Sequence, residues 1–321
     1  MRRRDIIELK EMRKMYTGID IGGTKCAVVR GDAEGGIEKK IRFETTDVSG
    51  TLENIFSAID EIGVGEKIGI SCGGPLDSER GIILSPPNLP GWDKIHIVEM
   101  LNERYGKAAA LRNDANACAL AEWRFGAGRG TKNMVFLTFG TGMGAGLILD
   151  GRLYGGTNDM AGEIGHVRLA DFGPVGYGKA GSVEGFCSGG GIAALGRMLA
   201  EERLQAGETV SFCGSRGELP HITAKKIADC AHEGAEDALR VYDICAEKLG
   251  IEISILIDIL NPEKIVIGSI FERSGDLLRR KMQEIIERET LPHSRAVCEI
   301  VPAELGDSIG DYAAIAAAME A

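Results

Sequence analysis

The run Asp20-Ile21-Gly22-Gly23-Thr24-Lys25 holds the groups that a phosphate cradle needs. Glycines let backbone N–H groups turn inward with no Cβ in the way. Thr24 and Lys25 can donate to phosphate oxygens, and Asp20 can hold a magnesium ion directly or through water. The same residues would also make an ordinary hairpin turn with Asp20 exposed at a strand end. A second glycine turn, Gly140-Thr141-Gly142-Met143-Gly144, repeats the pattern, and two facing turns would clasp a nucleotide. The apolar run Ile265-Val266-Ile267 enters Gly268-Ser269, which would give the adenine end a shelf at Gly268 or simply add to the core.

Asn113-Asp114 lies where an apolar run gives way to a helical pattern. Asp114 could serve there as an N-cap for free helix amides. A carboxylate opposite a triphosphate is also what phosphoryl transfer to an alcohol requires, because the attacking hydroxyl must lose its proton. The two roles can coexist, although amide bonds that lower the pKa of a cap make it a weaker base. Residues able to grip a polyol occur as Asn88 in Pro86-Pro87-Asn88-Leu89-Pro90, as Glu163 and His166 in Gly162-Glu163-Ile164-Gly165-His166, and as Glu184. Taken singly, each reads equally as a solvated loop residue.

The elements that must position these groups follow from periodicity. Tyr16 to Ile21 and Cys26 to Arg30 read as two strands around the first turn; Met134 to Phe139 and Ala145 to Leu149 read as two strands around the second. One Gly-Thr hairpin opening each half of the chain predicts a duplicated domain. Between them, helices near 51–62, 95–105 and 115–125 alternate with strands at 67–72 and 108–112, the pattern of an α/β lobe. After the second hairpin come an irregular stretch over 151–191 and helices near 192–202 and 223–231. A long helix over 235–260 is stopped by Asn261-Pro262; a strand at 264–268 and a small-residue helix at 311–319 follow. The lobe boundary is placed at Asn113.

The chain has 321 residues, 44% of them hydrophobic, enough for two cores. A net charge of -11 disfavours nucleic acid and other polyanions. The basic residues near the start are interleaved with Glu8 and Glu11 and read as a solvated N-terminal helix. Eight scattered cysteines with no Cys-x-x-Cys pair suggest a reduced, cytoplasmic protein. No apolar run is long enough for a membrane span or a secretory signal.

In order and spacing, the Asp20 to Lys25 and Gly140 to Gly146 turns, Pro86 to Trp92, Asn113-Asp114-Ala115-Asn116-Ala117, Ala161 to His166 and Asn261 to Gly268 resemble the ROK family of sugar kinases. The resemblance runs from about Tyr16 to Ala318. It implies an α/β, duplicated actin-like ATPase (ribonuclease H-like) fold of two lobes about a central cleft. The small lobe would be 1–113 with a C-terminal helix, 303–321, returning to it; the large lobe would be 114–302. It implies an ATP- and Mg2+-dependent kinase acting on a primary hydroxyl of a hexose-type sugar, with glucose or N-acetylmannosamine as substrate, and a homodimer. Asp114 would be the base, Gly23, Thr24, Thr141 and Gly142 would lie at the phosphates, and Asn88, Asn113, Glu163, His166 and Glu184 would hold the sugar. The segment that carries zinc-binding cysteines in many relatives corresponds to Val175 to Glu184, where no cysteine stands, so no zinc is expected. That loss bears on how His166 is oriented. An idle sugar or nucleotide sensor is the alternative within the same fold. A DNA-binding regulator would need more than the fifteen residues ahead of the first strand.

Overall fold

The computed structural model describes residues 13–321; the expected N-terminal helix, which begins at Arg2, falls mostly outside them. The chain divides into two compact units. Among the described residues, one comprises 13–130, 153–161 and 307–321, and the other 131–152 and 162–306. The first unit therefore runs past Asn113 and includes the helix Asp114–Phe125.

The first unit is built on a five-stranded sheet. Its order is Ile37–Glu44, Lys25–Asp32, Met15–Ile21, Ile68–Cys72 and Ala109–Asn113. The first three strands run antiparallel to one another and the last three parallel. Side chains alternate between the faces, so Ile19 and Ile21 enter a core with Ile55, Ile59, Ile70, Leu111 and Trp92. The helix Val48–Ile62 supplies Ile55 and Ile59 to that core. Its N-terminus is fixed by Asp47, which accepts from the Gly50 amide.

The opposite face is covered by the helix Ile309–Met319, whose residues 313–318 are fully buried. Here the backbones touch. A Cβ on Gly18 would fall 2.7 Å from that of Ala314, and one on Gly69 would strike the main chain of Ala314 and Ala317. Two strand glycines facing a run of alanines thus let the helix lie directly on the sheet, a packing that any larger side chain would prevent.

The second unit repeats the plan. Its sheet order is Arg152–Leu153, Ala145–Leu149, Met134–Leu137, Lys264–Ile267 and Glu299–Pro302. The Met134 strand is antiparallel to Ala145–Leu149 and parallel to Lys264–Ile267. The same strand order in both units expresses the duplication. Its longer helices are Gly189–Gln205, Ala224–His232, Glu236–Leu260 and Ile270–Glu289. The last of these, kinked at Ser274, is absent from the sequence reading, as are the strands Ile37–Glu44 and Glu299–Pro302. Gly189 to Gly191 begin a helix that the sequence reading starts at Ile192; the Ser188 hydroxyl accepts from the Gly191 amide and supplies the cap that glycines lack.

Candidate active site

In the first unit, parallel register aligns Ile21 with Cys72 and Cys72 with Asn113, so the three chain exits lie side by side at one sheet edge. The first exit is the turn Gly22 to Thr24. Its two glycines have ordinary φ angles; what requires them is close approach. A Cβ on Gly23 would stand 2.5 Å from the Asn88 carbonyl oxygen and 2.8 Å from its Cβ, and one on Gly22 would stand 2.7 Å from the Lys25 carbonyl. The turn and Asn88 are therefore in direct contact. Thr45 Oγ1 donates to the Gly22 carbonyl at 2.6 Å, while Gly23, Thr24 and Lys25 remain exposed. Asn88 is exposed as well, on a loop anchored by buried Leu89 and Trp92 and closed by the Ser85 amide donating to Trp92 O at 2.9 Å.

The third exit corrects the capping alternative. The cap of the helix Asp114–Phe125 is Asn113, whose Oδ1 accepts from the Ala115 amide at 2.9 Å and the Asn116 amide at 3.4 Å. Asp114 is the first helical residue, and it accepts from the Ala115 amide at 2.8 Å. Asp114 is itself an exposed residue. Displacement of water by the surrounding protein raises its pKa above that of ordinary aspartate, opposed by the Ala115 amide and its own.

Asp20, on the helix-covered face, presses against Gly310; a Cβ there would come within 2.7 Å of its Oδ2. Its pKa is pushed up to about 6. Desolvation is the main cause, followed by Asp311 and Asp114, with Lys40 and Arg42 opposing. Lys40 also pairs with buried Asp311. Two carboxylates near Asp20 suit a hard divalent cation in charge and donor type. Among the described residues no three His, Cys, Asp or Glu side chains form a preformed metal cage.

In the second unit, the Gly140 amide donates to Gly142 O at 3.0 Å and the Gly144 amide to Thr138 Oγ1 at 3.0 Å, which tightens the turn. Glu184 Oε2 accepts from the Met143 amide at 3.1 Å and lies 2.6 Å from where a Gly142 Cβ would stand. Its carboxylate is thus committed in part to the turn. The segment with Glu163 and His166 runs beside it: the Ala145 amide donates to Gly162 O at 2.8 Å, and Gly165 leaves no room for a Cβ against the Met143 carbonyl. Glu163 and His166 are both exposed on this short turn. Gly140 and Thr141 also line a cavity of about 660 Å³. Gly268 packs against the Phe136 ring and does not line the cavity; the residues just after it that do include Ser269, Ile270 and Arg273.

Beyond these two glycine turns on duplicated sheets, the chain matches a model of the ROK family over residues 16–320. The chain belongs to the ROK family. It is 32% identical to a glucokinase of Thermotoga maritima over 302 residues, covering 91% of this chain and 93% of that one. A ROK glucokinase from Streptomyces griseus, solved with glucose and AMPPNP, superposes with a TM-score of 0.75 at 28% identity, over 96% of this chain and all of that one. A ROK transcriptional regulator superposes at 0.81 over 99% of this chain and 84% of that one, but at 22% identity it shares the fold alone. The fold of this ROK protein is accordingly the actin-like ATPase fold.

Sequence reasoning missed most of the cavity wall of this ROK protein. Gly189, Gly190, Ile222, Ala224, Tyr242 and Arg273 come from four separate segments, and nothing local marks them as neighbours. The one available signal was the cluster Gly189-Gly190-Gly191, which read as irregular chain. The cysteine-free segment forms a small hairpin in which Val175 and Gly176 pair with Ala180 and Lys179. Lys179 Nζ donates to the His166 carbonyl at 2.7 Å, and the Tyr177 ring meets that of His166 edge-on at 6.2 Å. The hairpin thus contacts His166 through a lysine and an aromatic ring. Among the described residues no helix is long and apolar enough to cross a membrane.

Proposed function

We propose that this ROK sugar kinase transfers the γ-phosphoryl group of ATP to a primary hydroxyl of a hexose, glucose first and N-acetylmannosamine second, with Asp114 as the general base. The observation that carries the reading is the placement of Asp114: it stands exposed at the end of the strand Ala109–Asn113, which the strand Ile68–Cys72 aligns with the strand that runs into the Gly22 turn, and the cap falls to Asn113. A base of raised pKa accepts the hydroxyl proton better at neutral pH than an ordinary aspartate would. Asn88, Asn113, Glu163, His166 and Glu184 orient the sugar; Gly22, Gly23, Thr24, Lys25, Gly140, Thr141 and Gly142 direct donors at the phosphates. The second-unit cavity, with apolar Ile222, Ala224 and Ile270 in its wall, suits a nucleoside. Magnesium bound with the nucleotide would offset phosphate charge, and Asp20 is the side chain we assign to it.

The reading includes no zinc, the hairpin contacts serving instead, and a cytoplasmic homodimer. Exposed Ile255, Ile259 and Leu291 support self-association. An ADP-release assay with magnesium-ATP and glucose, mannose, fructose, N-acetylglucosamine, N-acetylmannosamine and allose tests the activity. Sugar-dependent release from the native protein is expected, and Asp114→Asn should retain ADP and sugar binding while losing turnover by about 10²–10⁴-fold. Near-native turnover by that variant would remove Asp114 from its role. A silent panel with nucleotide binding intact would favour a sensor.

A further inference from the structure

Three basic side chains, Lys225, His232 and Arg273, line the second-unit cavity, and their partners differ. Lys225 is bonded to the Asp229 carboxylate at 2.7 Å, and His232 Nε2 lies 3.0 Å from Asp276 Oδ2. Arg273 instead donates from its guanidinium to a neutral group, Ser269 Oγ, at 2.9 Å. Ser269 itself stands in an unusual position. Its φ of 55° and ψ of -99° belong to backbone that glycine adopts freely and serine only under strain. Its amide donates to Glu272 Oε1 at 2.6 Å, and its hydroxyl lies 3.6 Å from where a Gly140 Cβ would be. The hydroxyl therefore stands between the guanidinium and the second phosphate-type turn.

We propose that Arg273 contacts the phosphates of the bound nucleotide and that Ser269 holds it in place, the strained serine being kept for its hydroxyl. The proposal rests on the kinase reading. A guanidinium presents several N–H groups in a rigid fork; anchoring one edge on Ser269 orients the remainder toward an anion beside Gly140 and Thr141. A net charge of -11 makes a cation that reaches the cavity without a bonded carboxylate the more consequential for a polyanionic ligand.

Calorimetric titration of the full chain with ADP, AMPPNP and adenosine provides the test, on native protein, Arg273→Ala, Arg273→Lys and Ser269→Gly. Arg273→Ala should weaken ADP and AMPPNP about tenfold, flatten the salt dependence of their binding and leave adenosine unchanged. Arg273→Lys should recover part of the loss. Ser269→Gly, which relieves the strain, should raise the thermal midpoint and still weaken ADP, and combining it with Arg273→Ala should add little. Equal ADP affinity in native protein and Arg273→Ala would overturn the proposal while leaving the kinase reading in place, and an equal loss for adenosine would reduce Arg273 to a structural role. Native protein that binds no nucleotide would overturn both.

Discussion

Replacing Asp20 by asparagine should stabilise the ligand-free protein at neutral pH and leave its stability unchanged in acid. The Asp20 carboxyl is pushed from 3.8 to about 6 by loss of water and by the charges of Asp311 and Asp114. At about 1.4 kcal/mol per pH unit, that shift corresponds to about 3 kcal/mol. The unfolded chain releases this proton near pH 3.8, whereas the folded chain keeps it until about 6. Stability therefore falls as pH rises through that window, and the full cost stands above it. Asparagine has nearly the same shape and no charge, so the variant escapes the cost. Asp20 is only partly enclosed, and screening lowers the expected gain to about 1–2 kcal/mol, or about 2–6 °C in thermal midpoint.

Scanning calorimetry without nucleotide or divalent cation, from about pH 4 to about pH 8, would measure the gap between variant and native protein. The gap should open between pH 4 and 6 and then level off. A gap that is flat across this range, or a variant less stable than the native protein at pH 8, would refute the account of Asp20 as a desolvated carboxylate crowded by like charges. Magnesium with ADP should stabilise the native protein more than the variant, because the cation relieves a repulsion that the variant lacks.

Gly23→Ala should lower kcat/KM at least tenfold with little loss of thermal stability, since the new methyl group strikes the exposed Asn88 segment and not the core; unchanged kinetics would show that the Asn88 loop plays no part in the site. Glu252 lies fully buried in the helix Glu236–Leu260 with neither carboxyl oxygen hydrogen-bonded, and its pKa is pushed up to about 8 by desolvation. Its cost to stability grows as pH rises from 4.5 to about 8, so Glu252→Met should raise the thermal midpoint by an amount that increases toward alkaline pH. A difference that stayed constant from about pH 6 to about pH 9 would contradict this.

Much of the molecule could be read from local chemistry. The strands around Gly22 to Lys25 and Gly140 to Gly144 are β-branched runs interrupted by glycine, and an interaction of that range leaves its mark in adjacent residues. The long helix stopped at Asn261-Pro262 is legible for the same reason, because proline cannot continue a helix past its first turn. The helix Ile270–Glu289 was not legible: charges crowd its exposed side and Gly275 interrupts its pattern, and tertiary packing, mainly on the helix Glu236–Leu260, holds it in place. The choice between Asn113 and Asp114 as cap could not be made from two adjacent residues that are both good caps; backbone direction at the end of a parallel strand decided it.

The sequence by itself determined the family, the two glycine turns and the identities of the candidate polar groups, because covalent order fixes motif spacing. Tertiary structure alone decided that Gly23 touches Asn88, that Glu184 is tied to the Met143 amide, that Asp20, Asp114 and Asp311 share a field, and that Arg273 reaches a cavity walled by distant segments. These are relations between residues tens to hundreds of positions apart. Contact distance and desolvation depend on where the chain returns, and no local pattern records that.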